Sequence, residues 1–130
     1  MILTNVFNRN MLFGYWYRGE EDAEGNQVTE FARIEPDGSF EFSFMQYNQT
    51  GNVVEEITEL GDWGVVGDIH FTITKGELID EEHYNADMAD EENYQAYRIL
   101  QLDSCIMKYQ HIITEEVFIL RRVIDKIAHC

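Results

Sequence analysis

Residues Ser39–Tyr47 have the sequence SFEFSFMQY, and this stretch carries the clearest structural signal in the chain. Phe40, Phe42 and Phe44 alternate with polar or charged residues. Successive side chains of a β-strand point to opposite faces, so this period of two predicts a strand with one apolar face. The preceding residues, Pro-Asp-Gly at 36–38, predict a tight turn, because proline presets one dihedral angle and glycine accepts a positive φ.

The same pattern extends in both directions and predicts about nine strands. They cover residues 14–20, 28–35, 39–47, 53–60, 62–66, 69–74, 94–102, 105–112 and 117–124. The connections are mostly short and include no long helical crossover, so neighbouring strands must be antiparallel. Closing the sheet removes its exposed edges. We therefore predict an all-β protein, an antiparallel up-and-down β-barrel forming a single domain over residues 1–130.

Two segments depart from the strand pattern. Residues 2–13 have apolar positions at helical spacing, which predicts a short amphipathic helix before the first strand. In residues 77–92, eight of the sixteen side chains are acidic and none is basic. Such a segment cannot form a core of its own, so we expect an exposed acidic loop with one helical turn near residues 86–90.

The amino-acid composition argues against several classes of binding partner. The chain of 130 residues has 25 Asp and Glu against 9 Lys and Arg, a formal charge of −16. That field repels phosphate, which argues against partners such as nucleic acid or anionic membrane surfaces. Cys105 and Cys130 do not form the framework of a disulfide-rich protein, and no signal peptide or transmembrane run is evident. We expect two reduced thiols and a cytoplasmic location.

No catalytic or metal-binding motif is present in the sequence. His70, His83, His111 and His129 are not paired at ligand spacing, so we predict neither a metal site nor a cofactor. The nucleophile and phosphate-binding motifs of common enzyme classes are also missing. An enzyme is therefore the least favoured of the functions considered below.

The two ends of the strand order resemble a known family. The first strand begins Gly14-Tyr15-Trp16, and the last contains Arg121 and Arg122. Lipocalins and their bacterial lipocalin-like relatives open the barrel with Gly-x-Trp after a short helix, and an arginine of the final strand packs over that tryptophan. The resemblance spans roughly residues 11–123, without the leader and disulfide pair of secreted lipocalins. It implies a barrel that holds a small, mostly apolar molecule.

The resemblance also implies that Trp16 and one of the two arginines close the base of the barrel. Arg122 is the favoured candidate because it shares a strand face with Phe118 and Leu120, whereas Arg121 lies on the opposite face. A cation–π contact of this kind contributes about 0.5–2 kcal/mol. It would be structural and would not itself bind a ligand.

The chain contains seventeen aromatic residues, which could form either a cavity wall or a packed core. The predicted lining residues are Phe40, Phe42, Phe44, Trp63, Phe71, Tyr94 and Tyr109. Pockets for small molecules have such aromatic walls with a few polar groups, but a small barrel can also be filled entirely by side chains. The sequence does not distinguish these two arrangements.

Polar residues within the strands are a second source of ligand contacts. Arg33, Arg98 or Lys108 could point inward beside a tyrosine such as Tyr17 or Tyr97 and hold a ligand carboxylate. A shift of one residue in strand parity moves every side chain to the other face, so these assignments depend on a register that the sequence leaves open.

Three functions remain open. The first is a small-molecule binding protein that holds a hydrophobic or amphipathic ligand in the barrel interior. The second is a protein-interaction module with a filled barrel, such as a homodimer, for which the large negative charge is the motivation. The third is an enzyme that uses the barrel as a reaction chamber, which requires an inward carboxylate or histidine with a shifted pKa.

Overall fold

The computed structural model describes residues 7–21 and 23–124, which form an antiparallel barrel. Its strands are β1 (Gly14–Glu21), β2 (Gln27–Ile34), β3 (Ser39–Tyr47), β4 (Val53–Val66), β5 (Ile69–Ile79), β6 (Glu82–Asn85), β7 (Tyr94–Leu102), β8 (Ile106–His111) and β9 (Val117–Arg122). The order in the sheet is β4-β3-β2-β1-β9-β8-β7-β5, and the pairing of β4 with β5 closes it. β6 pairs only with the end of β5 and stands outside the ring of eight. The prediction of a closed antiparallel barrel is confirmed.

The central hairpin is longer than the sequence pattern predicts. The strands expected at residues 53–60 and 62–66 are one continuous strand, β4, with a bulge between Leu60 and Gly61. A Cβ atom at Gly61 would lie 1.9 Å from the carbonyl oxygen of Ile73 on β5. Glycine therefore permits the close approach of the two backbones without ending the strand.

The acidic segment is partly regular structure. Its first residues complete β5, and the next form the short exposed strand β6. Residues 86–90, where a helical turn was expected, form a non-helical turn closed by a hydrogen bond from the Asp90 N–H to the Asp87 carbonyl. A 3-10 turn follows at Glu91–Asn93. The Asp90 carboxylate caps this turn by accepting a hydrogen bond from the backbone N–H of Glu92 at 2.9 Å.

The predicted N-terminal helix is only a 3-10 turn at Arg9–Met11 in the part of it that the structure describes, since residues 1–6 lie outside. The backbone carbonyls that would continue the helix have other partners. Those of Met11 and Phe13 accept hydrogen bonds from the Arg122 guanidinium, and that of Leu12 accepts one from Trp16 Nε1. These side-chain contacts replace helical bonds, which explains why apolar spacing alone was misleading.

One end of the barrel is filled and capped. Trp16 is fully buried, and the Arg122 guanidinium carbon lies 4.2 Å from the centre of its ring. Arg121 is exposed on the outer face of the same strand. The core below this cap consists of apolar side chains from most strands: Leu12, Ala32, Ile34, Phe40, Trp63, Ile99, Leu102, Met107 and Leu120.

Cys105 is disulfide-bonded, which corrects the expectation of a reduced thiol at this position. Cys130 lies outside the described residues. The predicted cytoplasmic location therefore loses the observation on which it rested, because disulfides persist mainly in oxidising compartments. Among residues 7–21 and 23–124, no helix has the length and apolar character needed to cross a membrane.

Candidate functional site

The half of the barrel opposite the Arg122 cap contains a cavity of about 440 Å³. All eight barrel strands contribute to its wall, and the loop before β7 contributes to its rim. The lining residues are Arg18, Glu30, Phe42, Phe44, Glu59, Thr72, Thr74, Glu77, Asp90, Glu92, Asn93, Gln95, Tyr97, Tyr109 and Phe118. Their positions follow from strand alternation, because each strand turns every second side chain toward the axis.

One wall of the cavity is a cluster of aromatic rings from three neighbouring strands. The ring centres of Tyr97 and Tyr109 are 4.7 Å apart in an edge-to-face arrangement, and those of Tyr109 and Phe118 are 5.6 Å apart. Phe42 and Phe44 on β3 face them across the interior. Burial raises the pKa of Tyr97 to about 12 and that of Tyr109 well above its usual range. Both hydroxyls therefore stay protonated at neutral pH.

A buried ion pair crosses two strands at the side of the cavity. Arg18 Nε donates to Glu30 at 2.5 Å, and Arg18 Nη1 donates to the exposed Glu20 at 2.7 Å. Burial raises the pKa of the Glu30 carboxyl, and the positive charge of Arg18 opposes that rise. The Arg18 guanidinium also lies 5.0 Å from the centre of the Phe118 ring. The charge of Arg18 is thus compensated by Glu30 in the wall and by Glu20 outside the cavity.

Further carboxylates line the upper part of the cavity. Glu59 on β4 and Glu77 on β5 belong to adjacent strands, and Asp90 and Glu92 lie on the rim. Burial raises the pKa of Glu59, and the negative charges of Glu77 and Glu30 raise it further. Within the described parts of the chain, no three or more His, Cys, Asp or Glu side chains are grouped to hold a metal ion.

His70 lies at the floor between the filled and open halves. It is 1% exposed, and neither ring nitrogen has a hydrogen-bond partner among the described residues. Its neighbours are the rings of Trp63, Tyr97 and Tyr109, whose centres lie about 6 Å away. Burial lowers the pKa of His70 to about 4, so its imidazole is neutral at pH 7.

The predicted lining residues fall into three groups. Phe42, Phe44 and Tyr109 line the cavity. Phe40 and Trp63 are inward-facing but belong to the filled half, where Trp63 Nε1 donates to the Glu35 carbonyl. They are core residues and not part of the cavity wall.

Phe71 and Tyr94 lie on the outer surface, which corrects their assignment to the interior. They contribute to an apolar groove outside the barrel together with Ile73, Ala96, Ile112 and Ile113. The inward face of β5 is instead His70, Thr72 and Thr74, all of them buried. Phe71 lies over Gly64 of the neighbouring strand, where a Cβ atom would come within 2.4 Å of its ring. Because the Phe71 ring packs on this glycine, it is partly shielded from solvent although it lies on the outer face of the barrel.

The basic residues proposed to point inward do not line the cavity. Arg33 pairs with Glu35 and Glu41, and Arg98 pairs with the carboxylate of Asp68. Lys108 alternates with the buried residues of β8 and so faces outward.

Of the two tyrosines suggested as their companions, Tyr97 lines the cavity and Tyr17 lines an outer groove. The arginine that lines the cavity is Arg18, which was not among the residues predicted to point inward. Its position two residues after Trp16 is the signal that places both side chains on one face.

The comparisons agree with this architecture. No protein-family model matches the chain, and no curated protein sequence matches it. Among solved structures, a lipocalin-like protein from Bacteroides uniformis is similar, with a TM-score of 0.55 and 17% sequence identity. The alignment covers 87% of this chain and 99% of that one. With its closed eight-stranded barrel, capped at one end by Trp16 and Arg122 and open at the other, this chain has a lipocalin-like fold.

Proposed function

We propose that this protein binds a small amphipathic molecule in the open half of its barrel. The observation that carries the proposal is the cavity of about 440 Å³, lined by every strand of the barrel and closed at its lower end. Pockets for small ligands typically measure about 300–1,000 Å³ and combine aromatic walls with a few polar groups.

The distribution of side chains supports an amphipathic ligand more than a purely apolar one. The aromatic cluster of Tyr97, Tyr109 and Phe118 offers a surface for an apolar body. The carboxylates and amides of the rim are suited to a polar group that remains near water. A fully apolar ligand would leave these polar groups desolvated without partners, which costs free energy.

The alternative, an interaction module with a filled barrel, is less well supported because the upper interior is open. The outer groove at Phe71 and Ile113 is the observation that favours it, since Ile113 is 80% exposed. Sedimentation velocity tests this alternative directly. If the protein sediments as a monomer over a wide concentration range, the homodimer hypothesis is wrong.

The test of ligand binding uses 1-aminoanthracene, a fluorescent aromatic probe that is uncharged at neutral pH. We expect an increase and blue shift of its emission on titration with the protein, because the probe leaves water for an apolar site. The variant Thr72→Phe places a ring inside the cavity and should weaken probe binding by about tenfold or more. The matched control, Ile73→Phe, adds a ring at the next position of the same strand but on its outer face, and should bind as the wild type does.

Two outcomes would contradict the proposal. One is the absence of any probe binding by the folded wild-type protein, and the other is equal binding by both variants. Far-UV circular dichroism shows whether Thr72→Phe keeps the barrel. If it does not, Phe118→Ala replaces it, since enlarging the cavity should change probe affinity without overpacking.

A further inference from the structure

We propose that the polar group of the ligand is an organic cation, such as a primary ammonium attached to an apolar body. This inference rests on the proposed function and names the ligand class that the cavity would select. Three observations carry it: the charges in the wall, two hydroxyl groups without partners in residues 7–21 and 23–124, and one contact that places a cation on the aromatic wall.

The charged side chains of the cavity wall are predominantly acidic. They are one guanidinium, Arg18, and five carboxylates: Glu30, Glu59, Glu77, Asp90 and Glu92. Arg18 is occupied by ion pairs with Glu30 and with Glu20 outside the cavity. The other four carboxylates of the wall form no ion pair with any residue in 7–21 or 23–124. A ligand in this cavity therefore meets an uncompensated negative field.

Two tyrosine hydroxyls provide an independent indication of a polar ligand group. Tyr109 is 6% exposed, lines the cavity and makes ring contacts, but its hydroxyl has no hydrogen-bond partner in the described part of the chain. The same holds for the hydroxyl of the half-buried Tyr97. Neither oxygen is fully enclosed by protein, so a molecule in the cavity can reach both. A ligand ammonium can bond to them, because its N–H groups donate to phenol oxygens.

The aromatic wall already accepts one cation. The Arg18 guanidinium lies 5.0 Å from the centre of the Phe118 ring, within the distance of a cation–π contact. Phe42 and Phe44 on the opposite wall present further rings to the same cavity. Rings combined with carboxylates are a typical environment for alkylammonium groups, because both stabilise positive charge while the rings also contact the apolar body.

An anionic ligand is disfavoured by the same arrangement. Its only candidate partner in the wall is Arg18, whose Nε and Nη1 donors are already used by glutamates. A carboxylate ligand would approach Glu59 and Glu77 in a partly desolvated site, where repulsion between like charges is stronger than in bulk water. The carboxylate-binding role considered for an inward arginine is therefore replaced by recognition of a cation.

The experiment compares three ligands that share an eight-carbon chain and differ only in the head group: octylammonium, octan-1-ol and octanoate. Each competes with bound 1-aminoanthracene at pH 7.5, where the alkylamine is protonated because its pKa is close to that of lysine, about 10.4. We expect octylammonium to bind most tightly and octanoate most weakly, with at least about a tenfold difference in Kd between them. Equal affinities, or tighter binding of octanoate, would overturn the inference.

Two variants locate the effect in the cavity. Glu59→Gln should weaken octylammonium binding by about five- to tenfold while changing octan-1-ol binding less than about twofold, because only the charge is removed. Its matched control is Glu56→Gln, three residues earlier on β4, where the side chain lines a separate groove with Thr58 and Leu78. The control should leave the affinity for all three ligands unchanged.

Tyr109→Phe removes the hydroxyl and keeps the ring. It should weaken octylammonium binding by about tenfold or more, because the lost hydrogen bond involves a charged group, and weaken octan-1-ol binding less, because its bond is neutral. If neither this variant nor Glu59→Gln changes the preference for octylammonium over octan-1-ol, the cation site is not in the cavity and the inference is wrong.

Failure of the inference is distinguishable from failure of the proposed function. If the wild type binds 1-aminoanthracene and octan-1-ol but does not prefer octylammonium to octanoate, the cavity binds small molecules without selecting cations. If it binds neither the probe nor any of the three eight-carbon ligands, the proposed function itself fails.

Discussion

Replacing Arg122 by methionine should cost the barrel a large part of its stability. The guanidinium donates to three backbone carbonyls, those of Ser104 at 2.9 Å, Phe13 at 2.6 Å and Met11 at 2.8 Å. It also lies over the Trp16 ring. Taking about 1 kcal/mol for each hydrogen bond and about 0.5–2 kcal/mol for the cation–π contact, we expect a loss of about 3.5–5 kcal/mol in the free energy of unfolding.

The assay is urea denaturation followed by tryptophan fluorescence, with Arg121→Met as the matched control. Arg121 precedes Arg122 on the same strand and is exposed, so its replacement should change the free energy of unfolding by less than about 0.5 kcal/mol. Methionine keeps most of the aliphatic stem in both variants, so the comparison isolates the guanidinium. Equal losses in the two variants would refute the reasoning that Arg122 closes the barrel.

Three further predictions follow from the interior and from the central hairpin. Because burial lowers the folded-state pKa of His70 from 6.5 to about 4, the wild type should lose about 3 kcal/mol of stability as the pH falls from 7 to 4. His70→Leu should lack this component in urea titrations, whereas His83→Leu, at an exposed site, should retain it. Gly61→Ala should lower the free energy of unfolding by about 3 kcal/mol or more in the same assay, since its Cβ atom would overlap a backbone carbonyl. Phe42→Ala should weaken 1-aminoanthracene binding about tenfold in fluorescence titrations, whereas Phe71→Ala should leave the probe's Kd within about twofold of the wild type.

The fold was predictable because strand alternation is strong where one face of a strand is buried against a filled core. The run Ser39–Tyr47 is the clearest case, and its register places Phe40, Phe42 and Phe44 on the inner face. The pairing of Trp16 with one of two arginines could also be foreseen. It required the resemblance to a family as well as strand parity, because alternation alone does not say which distant residue a tryptophan meets.

The parity of β5 could not be predicted from hydrophobicity. Hydrophobic patterning predicts that the apolar residues of this strand face inward, but the buried inner face is His70, Thr72 and Thr74. The rule that apolar residues face the interior assumes a dry interior, and the upper half of this barrel is an open polar cavity. The outer face of β5 is apolar because Phe71 covers Gly64 and contributes to an external groove.

The acidic character of the cavity was missed for a related reason. Glu30 precedes the buried residues Ala32 and Ile34 at even spacing, so the alternation of β2 already places it on the inner face. The same reasoning from Trp16 places Arg18 inside. Arg33, Arg98 and Lys108 were considered as inward residues, but the parity of Trp16 was not extended to Arg18. The two side chains that form the buried ion pair were therefore missed.

The contact of Arg122 with Met11 joins positions 111 residues apart, and β1 pairs with β9 along the same seam. During synthesis on the ribosome, one edge of β1 has no partner until the last strand has emerged, and Trp16 cannot be covered before then. Every earlier hairpin can form from neighbouring segments as the chain lengthens, but ring closure must wait for this final step. Termination of synthesis before β9 would therefore release an open sheet that contains seven of the eight barrel strands, and its exposed edges would favour self-association.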